Sequence, residues 1–532
     1  MFRKSYCYVL LCLALAIPGL NGCSDNTEKP LVPEYKTNLS ELERDSVNFA
    51  KLFPKQYASY QRNNESGIET KTKYKASFPF QKHNEVDEPK RGYPQASQPY
   101  LKNLWLGYPF SWEYNEARGH TFAIEDQLEI DRINRYGEAG GLPATCWNCK
   151  TSKVVDWHKE YGDKFWAMDF NTFRTKDRLN AHENSISCDT CHNPTDMSLR
   201  ITSIPLDNAL KKQGIDWRQA SRNEMRAYVC AQCHVEYYFE EADHGPNKAP
   251  RFPWDQGKDP ENIYEYYNTV GKKNADGVAG QFADWVHPVS NTPMLKAQHP
   301  EFETWYDGPH GAADVTCADC HMPYVREDGK KKYSSHNWKS PLRTSADIVA
   351  SCGQCHADKT ADYLRERVHY TQDRAYAMLL EAQELSVKAH EAVRLASEYQ
   401  GSRTDNFNDL LAQARESVRK GQFLWDMCSA ENSIGFHNPP KFFRTIDSSK
   451  TESNKAVALA MEATNYGIAD NLKGNIRDLV PPLREWSRAM QMDQENLDKH
   501  TWTRYLKPLK KAPLMWEGQE RIKQPEAPVA SN

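Results

Sequence analysis

Ala144-Thr145-Cys146-Trp147-Asn148-Cys149-Lys150 is the stretch on which the fold turns. It sets two cysteines three positions apart and places a lysine directly after the second. Four later stretches repeat the cysteine spacing with histidine in the last place: Cys188/Cys191/His192, Cys230/Cys233/His234, Cys317/Cys320/His321 and Cys352/Cys355/His356. The first cysteines follow one another at intervals of 42, 42, 87 and 35 residues. C-x-x-C-H is an attachment signature for c-type haem, in which both thiols bond the porphyrin edge and the next imidazole ligates iron. With 14 Cys and 17 His in 532 residues, random order would give about 0.01 such matches. Four therefore carry meaning.

Two other readings compete. Zinc ribbons also use C-x-x-C pairs, but normally two of them about 15–20 residues apart, and zinc gives no reason for four histidines in the same place. Structural C-x-x-C disulfides repeated in this way are unusual in a large domain. The lysine site has its own rival, a degenerate motif that has lost its haem. An amine ligates iron only when neutral, so Lys150 would have to lose its proton on binding. An iron held by Lys150 and by no second protein ligand would be open to a small molecule. One irregular site among four regular ones then suggests one chemical haem supplied by four electron carriers.

The net charge of −4 is small for this length, and no basic tract or nucleic-acid motif is present. A hydrophobic content of 39% is modest for so large a chain; five porphyrins would add apolar core. Residues 1–23 read as a targeting segment, with Arg3 and Lys4 ahead of an apolar run from Tyr8 to Leu20. The run ends Leu20-Asn21-Gly22-Cys23, which resembles a bacterial lipobox. That resemblance implies a lipid on Cys23 and a periplasmic, membrane-anchored protein; a plain secretory signal is the alternative. Residues 24–75 are polar and read as an N-terminal arm with little packing. The aromatics Tyr100, Trp105, Tyr108, Phe110, Trp112 and Tyr114 suit porphyrin stacking and ordinary core equally well.

Residues 76–360 hold all five motifs, with dense Gly/Pro/Asn punctuation and little strand-like alternation. Thr344 or Ser345 is placed to cap a helix leading into the last motif. From 361 to 532 the pattern changes. Met378, Ala382, Leu385, Ala389, Ala392 and Ala396 form a heptad-like stripe suited to close helix contact, either inside the chain or against a second subunit. Leu411, Ala414, Val418 and Trp425 continue on a second helix that stops near Gly435 and Pro439-Pro440. A third is expected from Glu452 to Tyr466, and a fourth from Pro481 to Lys499. The expected fold is mainly α: a multihaem cytochrome c core of short helices and long loops, followed by a long-helix C-terminal bundle.

Cys146-Trp147-Asn148-Cys149-Lys150, the four C-x-x-C-H sites, Cys233-His234-Val235-Glu236-Tyr237-Tyr238 and Pro293-Met294-Leu295-Lys296-Ala297-Gln298-His299-Pro300 together resemble the ammonia-forming pentahaem cytochrome c nitrite reductases. The resemblance covers about residues 100–440. It implies five c-type haems, with the catalytic one on Cys146 and Cys149 and Lys150 as proximal ligand. Arg132, Tyr237 and His299 would surround the substrate, nitrite. A guanidinium suits an anion, a histidine delivers protons and a phenol hydrogen-bonds a bound species. Taken singly, each would more often be a surface charge or a satisfied structural group.

The resemblance further implies a calcium site from the side chains of Glu236 and Gln298 and the carbonyls of Tyr237 and Lys296; oxygen donors suit Ca2+. The proximal ligands His192, His234, His321 and His356 would be joined by distal ligands: His336 at the second site, His120 at the third, His437 at the fourth and His310 at the fifth. Cys428 is left as a buried inert thiol. A homodimer through the C-terminal helices and a quinol-oxidising membrane multihaem cytochrome as electron donor are implied as well. The function expected is six-electron reduction of nitrite to ammonium. Its rivals are a multihaem electron-transfer protein without a substrate of its own and, more remotely, an oxidase of the hydroxylamine type.

Overall fold

The computed structural model describes residues 35–65, 72–74, 100–108, 118–129, 142–327, 329 and 331–473. The leader with Cys23, Arg132 and the helix expected over Pro481–Lys499 lie outside the described residues.

Each Cys motif sits on or beside a helical turn, and local sequence explains why. Cys188–Cys191 forms one turn behind a reciprocal cap in which Ser187 and Thr190 satisfy each other's backbone N–H groups. Cys317–His321 repeats the device with Thr316 and Asp319. Ser221 and Glu224 box the start of helix Arg222–Ala231, which delivers Cys230. Thr344 caps Ser345–Ser351, accepting from Asp347 N–H at 3.1 Å, and Cys352–Gln354 follows as a tighter turn. The first motif lies on Ala144–Trp147, a short 3-10 turn. Long loops and three two-stranded antiparallel ribbons among the described residues connect these pieces. Their pairs are Tyr238–Phe239 with Pro250–Arg251, Trp285–His287 with Thr292–Met294, and Tyr324–Val325 with Tyr333–Ser334.

Three long helices follow: Ala361–Glu398, Phe407–Ala430 and Pro439–Ala463. They pack on one another as a bundle. Ala382, Ala389, Ala392 and Ala396 are fully buried in one cluster with Leu411, Ala414, Val418, Trp425, Ile446 and Ala460. The alanine face is thus used within the chain, because small side chains let the helix axes approach closely. Gly421 shows how closely: its carbonyl accepts from Ser449 Oγ at 2.6 Å, and an added Cβ would stand 2.9 Å from Ser453 Oγ. Tyr100, Trp105 and Tyr108 join this same cluster as ordinary core.

Two expectations change. Pro439-Pro440 opens the third helix instead of standing clear of it, and that helix starts well before Glu452. Proline is tolerated in a first turn, where its missing N–H has no partner to lose, and the Asn438 side chain caps Lys441 N–H at 3.1 Å. Residues 37–65 are also more packed than their polarity suggests. Helices Ser46–Ala50 and Pro54–Gln61 bury Phe49 and Tyr60. Their polar groups dock on the second motif: Asn184 Nδ2 donates to Asp45 Oδ1 at 2.6 Å and Tyr60 OH to the Ile186 carbonyl at 3.1 Å. Polar pairing replaces apolar burial as the anchor. Among the described residues no helix is long and apolar enough to cross a membrane.

Candidate haem sites and catalytic centre

No disulfide joins the motif cysteines. Among the described residues no three His, Cys, Asp or Glu side chains converge as zinc ligands would. The motifs are instead strung edge to edge. Cys149 lies beside Cys233, and Cys230 beside Cys317. Cys191 lies close enough to feel Cys230, and Cys320 to feel both Cys352 and Cys355. The third motif is the hub: it touches the first, second and fourth, and the fourth leads to the fifth.

The histidines named from sequence come together in pairs. His192 faces His336 with ring centres 6.2 Å apart, His120 faces His234 at 5.9 Å, and His321 faces His437 at 6.4 Å. His310 and His356 are near enough to interact electrostatically. Two metal–imidazole bonds of about 2 Å on opposite faces of one ion, with each ring centre roughly 1.2 Å behind its nitrogen, put centroids about 6.4 Å apart. The three measured pairs fit that spacing. Burial pushes His120 down to about 3 and His321 and His336 down to about 4. These three imidazoles are therefore neutral at pH 7, the form that ligates a metal, whereas neighbouring carboxylates outweigh burial at His234 and His437 and raise both.

The first motif is clamped by its own following loop. Trp147 stacks on Phe170 at 4.2 Å and 1°, and its Nε1–H donates to the Phe170 carbonyl at 3.0 Å. Ala144 N–H donates to the Met168 carbonyl at 2.7 Å, and Thr145 Oγ1 to the Trp166 carbonyl at 3.0 Å. Lys150 is half-buried and acts electrostatically on Cys149, Cys233, His120 and His299. His299 is within reach of this centre, with its ring 6.5 Å from that of His234. Burial pushes His299 down to about 4; Glu301 opposes that shift, while His234, Lys150 and Lys296 add to it. Tyr237, one residue beyond Glu236, stacks on Phe239 at 5.8 Å.

Glu236 is completely buried. Its Oε1 accepts from Tyr267 OH at 2.7 Å and its Oε2 from Gln298 N–H at 2.5 Å. The Gln298 side-chain amide lies 3.0 Å from the Lys296 carbonyl. Burial, with Glu303 and Asp284 nearby, pushes Glu236 well above the usual carboxylate range. The structure thus brings Glu236, Lys296 and Gln298 to one place, although 62 residues separate the outer two in sequence. One carboxylate, an amide and a carbonyl form an oxygen-rich donor set of the kind a hard cation takes, once the Gln298 amide presents its oxygen.

Residues 45–523 match the cytochrome c552 family. The chain is 56% identical over 501 residues to the cytochrome c nitrite reductase subunit NrfA of Nitratidesulfovibrio vulgaris, covering 94% of each. It is 31% identical over 495 residues to a cytochrome c-552 of Aliarcobacter butzleri, covering 90% of this chain and 89% of that one. The chain belongs to the cytochrome c552 family of cytochrome c nitrite reductases. Its fold is similar to that of a solved cytochrome c nitrite reductase from Desulfovibrio desulfuricans ATCC 27774, a catalytic subunit described with two calcium sites. That match has a TM-score of 0.84 at 56% identity and covers 91% of this chain and all of that one.

Sequence reasoning missed several residues that surround these sites. Glu301 places Oε2 at 3.4 Å from His234 Nδ1. Burial alone would raise its pKa, but the His234 hydrogen bond and the charges on His234, His299 and His437 bring it down to about 2. Burial likewise opposes charge on His234, and Glu301 carries it up to about 9. Asp426, on the second long helix, receives Lys296 Nζ at 2.8 Å and Ala297 N–H at 2.9 Å. Only Glu301 had a signal in the sequence, as a carboxylate two residues beyond His299. Asp426 and Tyr267 lie on distant elements, and nothing local marks them.

Proposed function

We propose that the chain is a periplasmic, ammonia-forming nitrite reductase carrying five c-type haems and Ca2+, with Lys150 as the proximal ligand of the catalytic haem. The observation that carries this reading is the company Lys150 keeps. His299 and the third motif both lie within its electrostatic reach, and among the described residues no histidine ring pairs across it as at the second, third and fourth motifs. Three of the four regular motifs bring a second imidazole to face the first, and at the fifth His310 acts on His356, which suits electron carriage without substrate.

When bound, the haem irons supply electron transfer and, at the first motif, a Lewis-acidic site for nitrite. The protein's part is orientation and proton supply. The Trp147–Phe170 stack fixes the Lys150 turn. His299 Nδ1 or Nε2 passes protons, its buried ring being neutral at rest and able to accept and release them in turn. The Tyr237 hydroxyl donates a hydrogen bond to bound oxyanion, and Arg132 would pair with its charge. Calcium held by Glu236, Gln298 and the Lys296 and Tyr237 carbonyls would keep Tyr237 and His299 in register, since each adjoins a ligand. His299, Tyr237 and Gln298 then work as one rigid group.

Export through the leader, a lipid on Cys23 and a quinol-oxidising membrane multihaem cytochrome as donor complete the proposal. A homodimer through the long helices is part of it, supported by Tyr363 and Tyr370, about half exposed on the outer side of helix Ala361–Glu398. The test uses purified holoprotein with reduced viologen and nitrite: stoichiometric ammonium is expected, and its absence from protein with a full haem complement overturns the reading.

A further inference from the structure

The axial imidazoles differ in what their outer nitrogens touch. At the second site both partners are neutral carbonyls. His192 Nδ1 meets Met197 O at 2.8 Å, and His336 Nδ1 meets Ser334 O at 3.0 Å. At the third site His234 Nδ1 meets a carboxylate, Glu301 Oε2, at 3.4 Å. At the fourth, His437 Nδ1 lies 2.5 Å from Glu431 Oε1, with the approach oblique to the ring N–H direction. Across that site His321 lies against a backbone group at Lys339, with Glu301 acting on it only through its charge.

Both carboxylates are buried, Glu431 almost completely, and a single turn holds them. Glu431-Asn432-Ser433 joins the second and third long helices. Asn432 N–H donates to Glu301 Oε1 at 3.2 Å, with the Asn432 side-chain amide as a second donor. Ser433 N–H and Oγ donate to Glu431 at 3.0 and 2.7 Å. Ser433 Oγ also accepts from His437 N–H at 2.8 Å. The helical bundle therefore reaches into the haem region and presents one carboxylate to each of two neighbouring sites.

We infer that Glu301 and Glu431 are positioning residues that lower the reduction potentials of the third and fourth haems relative to the second. A carboxylate beside the outer nitrogen of a ligating imidazole, hydrogen-bonded as at His234 or acting through its charge as at His437, favours the higher oxidation state of the metal. A backbone carbonyl does so less. Because the third site adjoins the first through Cys149 and Cys233, an electron placed there is readily passed on to the catalytic site. The inference rests on the haem ligation proposed above.

The experiment is haem-resolved potentiometry by EPR and visible spectroscopy on full-length holoenzyme, comparing Glu301→Gln and Glu431→Gln with the unaltered protein. Glu431→Gln should shift the fourth potential upward, Glu301→Gln the third, and neither should move the second. Fully haem-loaded variants with unshifted third and fourth potentials would sink the inference while leaving nitrite reduction standing. Loss of the low-spin bis-imidazole signals from the unaltered protein would instead sink the ligation it rests on. Should either variant not load its haems, Ser433→Ala preserves every charge but removes a donor from Glu431. The freed carboxylate should then draw the fourth potential downward; no shift or an upward one overturns the idea.

Discussion

The Tyr267 hydroxyl donates to Glu236 Oε1 at 2.7 Å, and this contact joins two fully buried residues from separate elements. Helix Pro260–Tyr267 ends at that tyrosine, and Glu236 follows the third haem motif. Removing the hydroxyl leaves a carboxylate oxygen without its partner. Tyr267→Phe is expected to cost about 1–3 kcal/mol of stability. Metal analysis of the purified variant should show weaker calcium retention under chelator, and activity should fall with it. A variant that keeps both calcium and melting temperature would refute the role given to this contact.

The Lys296 side chain forms an ion pair with Asp426, both almost wholly buried. Its ammonium also donates to the Ala297 carbonyl at 2.7 Å. The arrangement leaves the Lys296 carbonyl facing Gln298. Asp426→Ala strands a buried charge and should cost about 3–5 kcal/mol, whereas Lys296→Met combined with Asp426→Leu should lose only the about 1–3 kcal/mol of the Ala297 N–H left without its acceptor. Chemical denaturation of both variants checks this. Equal losses would mean that packing, not charge, matters at this position.

His287 and His390 stack at 3.8 Å and 24°, fully buried and away from the haem motifs. His390 bonds Ser290 Oγ at 2.8 Å and Gln422 Oε1 at 2.7 Å. Burial pushes His390 down to about 4, and burial with the neighbouring imidazole pushes His287 well below its ordinary value. The unfolded chain binds these protons near pH 6.5, so it holds more protons than the folded one between pH 6.5 and 4. Their contribution is full above that window and is lost as pH falls through it, at about 1.4 kcal/mol per pH unit for one group. His390→Gln should flatten the melting-temperature profile there; a profile as steep as before would count against the assignment.

Phe170 is buried face to face on Trp147. Phe170→Ala should cost about 3–5 kcal/mol and loosen the turn carrying Lys150 before it disturbs the other motifs. The expected signature is loss or broadening of the high-spin haem signal, with the low-spin signals intact. Uniform change across all haem signals would show that the stack supports the whole core instead.

Much of this protein could be read from short-range pattern. Covalent haem attachment needs two thiols and a ligand within five residues, so all five motifs declare themselves locally, as do the caps at Ser221 and Thr344 and the alanine stripe. A distal imidazole needs only to arrive across the metal from its partner. Its sequence distance is free, and His120, His336 and His437 were reachable only through the family's neighbouring residues. Pro439 misled because proline blocks a helix interior yet suits a first turn, and the Asn438 cap that decides between the two depends on tertiary placement.

What the linear order determined is the count and kind of the chemical groups: ten thiols in five pairs, one lysine in a histidine's place, and helices able to pack closely. What the folded chain alone decided is which of those groups meet. The hub position of the third motif, the carboxylate behind His234 and the Asp426 grip on Lys296 all join residues far apart in sequence. Covalent and capping chemistry acts over a few bonds and leaves its mark in adjacent letters. Charge and hydrogen bonding in a buried interior act through space, so their partners can come from anywhere along the chain.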